Sequence, residues 1–163
     1  MRIYVSQIDT VLQKMNISLR QSKPEDLDWL DEFYEGLMRP CVELTHDWDE
    51  KRFREIYNTE TISVIQLNGE DIGMLKTEKR KDHIYLGDIQ LKKAFQRRGI
   101  GTSLIRDVIE KAKADGLPLR LRVLKENPVM ELYNRLGFVK TKEFKHCHEL
   151  EWSAQPVKAK PHS

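Results

Sequence analysis

The sequence predicts a single α+β domain, and three changes of hydrophobic period predict it. Leu27, Leu30, Phe33 and Leu37 recur at helical spacing near the start. Residues 61–67 and those that follow are β-branched and apolar around Asn68-Gly69. Beyond residue 99 the helical period returns as an apolar stripe of Ile100, Leu104, Ile105, Val108, Ile109 and Ala112, which gives way to alternation at Leu119, Leu121 and Val123.

Taken in order, residues 16–20 alternate and read as a short strand. Ser22 followed by Glu25 has the form of a capping box, with Pro24 suited to a first turn. Gly36 and Pro40 put the end of that helix near Met38. Asp47 and Glu50 repeat the capping signature and open a second helix through Phe53, Ile56 and Tyr57. Asn68-Gly69 is a strong two-residue hairpin signal, so 61–67 and 72–77 pair. A charged turn at 79–82 and a strand at 83–91 extend them into an antiparallel meander. Gly116 closes the third helix, and 119–123 is a strand with Arg120 and Arg122 directed at solvent or at phosphates. Asn127-Pro128 opens a fourth helix through Met130, Tyr133 and Leu136, stopped by Gly137. Residues 138–141 and 146–152 are the last strands. The order is βααβββ followed by αβαββ. Residues 1–15 read as an N-terminal extension, and 153–163, with Pro156 and Pro161, as a disordered tail.

The chain has 163 residues, enough for one domain that buries roughly two thirds of its unfolded surface. Its 33% charged residues nearly cancel to a net charge of +2, which argues against nucleic acid or membrane as the main partner. Cys41 and Cys147 make no disulfide framework and fit buried packing in a reducing compartment. No run of about 18 apolar residues occurs, and Met1–Val5 leads into polar residues, unlike a signal peptide. A cytoplasmic location is expected. His146 and His148 lie on one strand face, but no further ligands accompany them and no metal is expected.

The segment that carries chemistry joins the strand ending Ile89-Gln90-Leu91 to the third helix through Gln96-Arg97-Arg98-Gly99-Ile100-Gly101-Thr102. A helix start presents unpaired N–H groups and a positive dipole end, so an anion binds there readily. Gly99 and Gly101 remove the Cβ atoms that would hold a phosphate off the backbone. Thr102 adds a hydroxyl, while Lys92, Lys93, Arg97 and Arg98 make a basic rim. No Gly-Lys-Ser/Thr ends the loop, so it is not a Walker loop, and too few glycines are present for a dinucleotide fingerprint. Without a ligand the same segment is a tight turn with solvated arginines.

Gln96-Arg97-Arg98-Gly99-Ile100-Gly101 resembles the signature Gln/Arg-x-x-Gly-x-Gly/Ala that follows the fourth strand of the GCN5-related N-acetyltransferase superfamily. Asn127-Pro128 and Tyr133-Asn134-Arg135-Leu136-Gly137-Phe138 are similar to that family's Asn…Tyr-x-x-x-Gly-Phe segment. The resemblance implies an α/β/α layered fold over residues 16–152. It has a mixed, mostly antiparallel sheet of six to seven strands flanked by about four helices. It further implies an enzyme that moves an acetyl group from acetyl-CoA to a primary amine by direct attack in a ternary complex. The fourth and fifth strands splay, and backbone groups of Ile89, Gln90 and Leu91 meet the pantetheine arm as an added strand would. The amides from Gln96 to Thr102 hold the pyrophosphate. Asn127 contacts the arm from the other side, or caps its own helix, or both.

The resemblance also assigns roles in the reaction, which needs a neutral amine, an oxyanion donor and a proton for the departing thiolate. The oxyanion donor is a backbone N–H near Leu91. Tyr133 matches the family's tyrosine general acid; alternatively it is a core aromatic. The strand glutamate that some relatives use as base falls here on Tyr85 or Gly87, so the base is open. Asp88, Glu43, His46 or a water chain are the candidates. Glu43, His46 and Trp48, between the first two helices, lie where acceptors bind in the family, and an acidic setting there favours a cationic amine. The acceptor is a small-molecule amine or a protein amino group, and the chain a monomer or homodimer. A function of another class, a non-catalytic acyl-CoA-binding or sensing module, shares the donor site but not the chemistry. Nucleic-acid binding is not expected, since no aromatics interleave with Arg97 and Arg98.

Overall fold

A computed structural model describes residues 16–154. The extension expected at 1–15 and the tail beyond Ala154 lie outside the described residues. The elements are β1 (Ile17–Gln21), α1 (Leu27–Val42), α2 (Arg52–Ile56), β2 (Ile62–Leu67), β3 (Glu70–Lys79) and β4 (Ile84–Leu91), followed by α3 (Ile100–Asp115), β5 (Leu119–Leu124), α4 (Met130–Arg135), β6 (Val139–Glu143) and β7 (Cys147–Trp152). Single 3-10 turns stand at Pro24–Asp26 and Lys93–Phe95. The order is the one predicted. The strands form a seven-stranded sheet in the order β1-β2-β3-β4-β5-β7-β6. It is mixed: β4 and β5 are parallel, joined through α3, while the β1/β2, β2/β3, β5/β7 and β6/β7 pairs are antiparallel.

The described chain divides into two compact units. The first holds the residues up to Lys76 together with Asp88–Ser103. Its core is Leu30, Phe53, Ile62, Val64 and Met74, with Leu27, Trp29, Phe33, Tyr34 and Tyr57 packed around it. The α1 stripe therefore buries against β2 and β3, as its period requires. Asn68 and Gly69 take φ of +50° and +82°, the left-handed pair that a twisted two-residue hairpin needs, and Leu67 lies opposite Glu70.

Three expectations in this unit are corrected. The capping interaction before α1 belongs to Asp26, not to Ser22 and Glu25. Asp26 Oδ2 accepts the Lys23 N–H at 2.8 Å, and its oxygens also accept from Trp29 Nε1 at 3.0 Å and from both Arg20 nitrogens at 2.8 Å. Ser22 is instead buried, with its N–H donating to the Ile62 carbonyl. Second, α1 runs past Met38 to Val42 with Pro40 inside it. A proline ring removes one helical N–H and crowds the carbonyl four places back, here that of Gly36, yet the helix continues past it to Val42. Third, α2 is a single turn whose N-cap is Lys51, so Asp47 and Glu50 do not cap it. Asp49 accepts the Lys51 N–H at 3.0 Å instead.

The second unit holds Thr77–Gly87 and the residues from Leu104 onward. Ile84–Leu86 pair in parallel with Leu119–Leu121, and Leu104, Ile105, Ala112, Leu119, Leu121 and Leu150 are buried. Gly116, at φ +66°, ends α3, and the Leu117 N–H returns to the Ala112 carbonyl at 3.0 Å. Gly137, at φ +98°, ends α4; a Cβ there would press on the Trp152 ring. Arg122 is exposed to solvent as expected, whereas Arg120 is half-buried and held by an acid. Arg120 bonds Glu151 at 2.7 Å, and Arg122 lies 4.3 Å from the Phe144 ring centroid, because each faces a β7 acid across the antiparallel pair. The cysteines also depart from buried packing: Cys41 is exposed, near the end of α1, and Cys147 is half-buried. No group of three or more His, Cys, Asp or Glu among the described residues is placed to hold a metal. None of the described helices is long and apolar enough to cross a membrane.

Candidate functional site

The predicted loop begins where β4 ends. Lys92 N–H donates to the Ile72 carbonyl at 2.8 Å, and the Gln90 carbonyl lies so close to Gly73 that a Cβ on Gly73 would collide with it. Lys92 therefore turns its N–H toward β3, and by strand alternation so does Gln90. Because a strand alternates, Ile89 and Leu91 turn theirs to the opposite edge. The register of β4 with β5 covers only Ile84–Leu86, so Ile89 and Leu91 lie beyond it. Gln96 reaches back to cap part of this edge, with Nε2 donating to the Leu91 carbonyl at 2.9 Å. By the same alternation the Leu91 N–H and the backbone groups of Ile89 are directed away from β3.

From Gln96 to Gly99 the loop is exposed, while Ile100 is fully buried and pins the start of α3. Arg97 at φ +60° and Gly99 at φ +82° are both left-handed. The first rung of α3 is Ser103 N–H to the Gly99 carbonyl at 3.0 Å, so the N–H groups of Ile100, Gly101 and Thr102 have no acceptor within the helix. Nothing lies within 4 Å of where a Cβ would stand on Gly99 or Gly101. Space above the helix mouth is thus open, and the dipole end and the arginines favour an anion there. Arg98 lies 5.6 Å from the Phe95 ring centroid.

Asp88 is half-buried on β4. Burial pushes its carboxyl up to about 6, against the pull of a Gln90 hydrogen bond and the Lys76 charge. Above it stands α1: Met38 Sδ accepts from Gln90 Nε2 at 3.3 Å, and Tyr34 lies within electrostatic reach of Asp88. Burial, then the Asp88 charge, pushes the Tyr34 phenol up to about 12. Tyr34 stacks on Phe53 at 4.8 Å between centroids and meets Trp48 at 6.2 Å. Of the acceptor candidates, Trp48 packs on Tyr34, the residue that feels the Asp88 charge. Glu43 does not: it bonds Arg39 at 2.7 Å and lines a 450 Å³ surface groove with Glu32, Glu35, Gly36 and Pro40. By helical spacing that groove is on the face of α1 opposite Tyr34 and Met38. His46 is exposed, with Nδ1 2.8 Å from Thr45 Oγ1.

Asn127 and Tyr133 belong to the second unit. Asn127 Oδ1 accepts the Val129 N–H at 3.0 Å and its carbonyl accepts from Met130, a turn that leads into α4, whose N-cap is Val129, and that leaves the Asn127 amide N–H groups unused by it. Tyr133 is 7% exposed and packs edge-on against Phe138 at 5.3 Å. Its phenol has no hydrogen-bond partner among the described residues, and burial pushes it upward.

Sequence reasoning missed Tyr34, Met38, Gly73 and the left-handed Arg97. Gly73 carried a usable signal, since a glycine inside a strand marks a close backbone approach. Tyr34 and Met38 share a helix face with Leu27 and Leu30, and were indistinguishable from core.

A mixed seven-stranded sheet whose fourth strand runs into a glycine-opened helix start is an acyl-CoA acyltransferase fold. The acetyltransferase (GNAT) family profile matches residues 26–138, most of the chain, and the chain belongs to that family. No curated protein sequence gives a significant match. Among solved structures the chain is similar to the PaiA N-acetyltransferase of Thermoplasma acidophilum in complex with coenzyme A, with a TM-score of 0.69 and 20% identity over 85% of this chain and 99% of that one. It is also similar to Arabidopsis thaliana Naa50 in complex with the bisubstrate analogue CoA-Ac-MVNAL (TM-score 0.63, 18% identity, 84% and 98% covered). A third is the ribosomal-protein-S18-alanine N-acetyltransferase of Escherichia coli (0.62, 18%, 88% and 99%).

Proposed function

We propose that this acetyltransferase moves an acetyl group from acetyl-CoA to a primary amine by direct attack in a ternary complex. The observation that carries the reading is the open helix mouth at Gly99–Thr102, directly after a strand end whose Ile89 and Leu91 backbone groups face away from β3. In this reading the amides from Arg97 to Thr102 take the pyrophosphate, with Gln96 holding the loop to the strand. The pantetheine amides pair along Ile89 and Leu91, and Asn127 donates its amide to the arm. Coenzyme A or an analogue of it in two similar structures supports the donor.

The thioester carbonyl carbon is the electrophile. The amine arrives as ammonium, and Asp88, charged above about pH 6, takes its proton. The nitrogen then attacks and charge develops on the carbonyl oxygen, which the Leu91 N–H stabilises. As the C–S bond breaks, Tyr133 gives a proton to the thiolate, and the second proton that the nitrogen sheds on becoming an amide passes through water to restore the phenol. Its raised phenol keeps it protonated across neutral pH. Thiol release from acetyl-CoA with a panel of amines tests the reading. Amine-dependent release at a catalytic rate is expected, whereas acetyl-CoA binding without release identifies a sensing module.

A further inference from the structure

The face of the first unit that carries Asp88 joins two kinds of surface. One is a carboxylate that is half-buried, hence partly stripped of water yet reachable. The other is aromatic. Phe53, fully packed, backs Tyr34 by stacking at 4.8 Å with the planes 28° apart, and Trp48 stands beside it, tilted by 38°. Tyr34 and Trp48 are both half-buried. The Trp48 indole N–H is shut off from solvent with no acceptor among the described residues, so what Trp48 exposes is ring carbon. Met38, bonded to Gln90, adds a polarizable apolar group on the same face of α1.

A group that suits a carboxylate next to tryptophan and tyrosine faces is an ammonium on a hydrocarbon stem. The charge meets the carboxylate, while the stem and the polarised methylenes lie on the rings. A second carboxylate on the acceptor would be set against Asp88 in a partly desolvated place, where like charges repel strongly. Lys76 and Arg52 act on the same groups from β3 and α2, so the surroundings are not uniformly negative. The selection comes from contact, not from a broad acidic field.

We infer that Asp88, Tyr34 and Trp48 together seat the acceptor, and that the acceptor is an aliphatic primary ammonium with no carboxylate near the reacting nitrogen. This rests on the acetyl-transfer reading above. It makes Tyr34 and Trp48 specificity residues and sets aside Glu43, which faces the other side of α1.

The test is thiol release by the full chain with acetyl-CoA and four acceptors: butylamine, an Nα-blocked lysine amide, glutamate and aspartate. Butylamine and the lysine amide should exceed both acidic amino acids at least about tenfold in kcat/KM. Trp48→Leu should raise the KM for butylamine about tenfold and leave the KM for acetyl-CoA unchanged, and Trp48→Phe should restore much of the loss. Glutamate used as well as butylamine, or an unchanged butylamine KM in Trp48→Leu, overturns the inference and leaves the enzyme reading intact. The wild-type panel decides even where a variant does not fold. No release with any acceptor, with calorimetric binding of acetyl-CoA preserved, removes the enzyme reading and the inference with it.

Discussion

Asp88 and Tyr133 are both raised by burial, and the same cause has opposite uses. For Asp88 it produces a base poised near the pH of use, where acid–base catalysis is most effective. The groups that face it are Gln90, Lys76 and Tyr34. We expect kcat/KM to rise with pH through a limb near 6, beneath any limb from the amine itself. Asp88→Asn should abolish that limb and lower kcat/KM by about 10²- to 10⁴-fold, with acetyl-CoA affinity unchanged; a pH profile of both enzymes checks this. Since the folded carboxyl lies above its ordinary value, Asp88 favours the folded state least when charged. Its contribution to stability falls as pH rises from about 4 to about 6, and Asp88→Asn should flatten that part of the curve. Tyr133→Phe should lower kcat about 100-fold with little change in the KM for acetyl-CoA. Its melting temperature should stay near wild type, because the phenol has no hydrogen-bond partner among the described residues to lose. A kcat equal to wild type would remove Tyr133 from the reaction. Asp88 and Tyr133 were legible as residue types in a motif or on a strand. Tyr34 was not, because its importance comes from a neighbour 54 positions away in sequence.

At the level of elements, the Asp26 cluster links β1 to the start of α1. Its carboxyl is held well below the usual range, first by the Arg20 hydrogen bonds and then by Trp29 and the Lys23 N–H, against the cost of burial. A depressed acid stabilises the fold above its unfolded value of about 3.8, and that contribution is lost as pH falls. Asp26→Ala should cost about 2–4 kcal/mol at neutral pH, measured by denaturant unfolding. The difference from wild type should shrink on acidification. The sequence offered two capping boxes by spacing alone, and neither formed as read. Ser22 was drawn into the core beside β2, and Asp26 outcompeted it because Arg20 and Trp29 bind it from other elements. The extension of α1 through Pro40 was hidden because Gly36 and Pro40 are both helix breakers by local propensity, and α1 runs through them to Val42. The hairpin at Asn68-Gly69 and the helix ends at Gly116 and Gly137 were legible, since each depends on one residue's tolerance of positive φ.

For the molecule as a whole, the order of eleven elements was legible because a change of hydrophobic period is a local property. The sheet order was not. That β7 lies between β5 and β6 depends on Leu119 finding Trp152 and Val139 finding Glu151, pairings far apart in sequence. The open helix mouth proposed as the donor site was legible for the opposite reason: such a feature needs only a few consecutive residues to be recognisable. The proposed reaction requires that main-chain donors grip acetyl-CoA there. Isothermal titration of acetyl-CoA into the wild type and Gly101→Val measures it most directly. Because nothing occupies the space above Gly101 in the free protein, the valine should leave the melting temperature within roughly 2 °C of wild type. It should weaken binding at least about tenfold by holding the pyrophosphate off the amides. Undiminished acetyl-CoA affinity in a folded Gly101→Val protein would contradict the account.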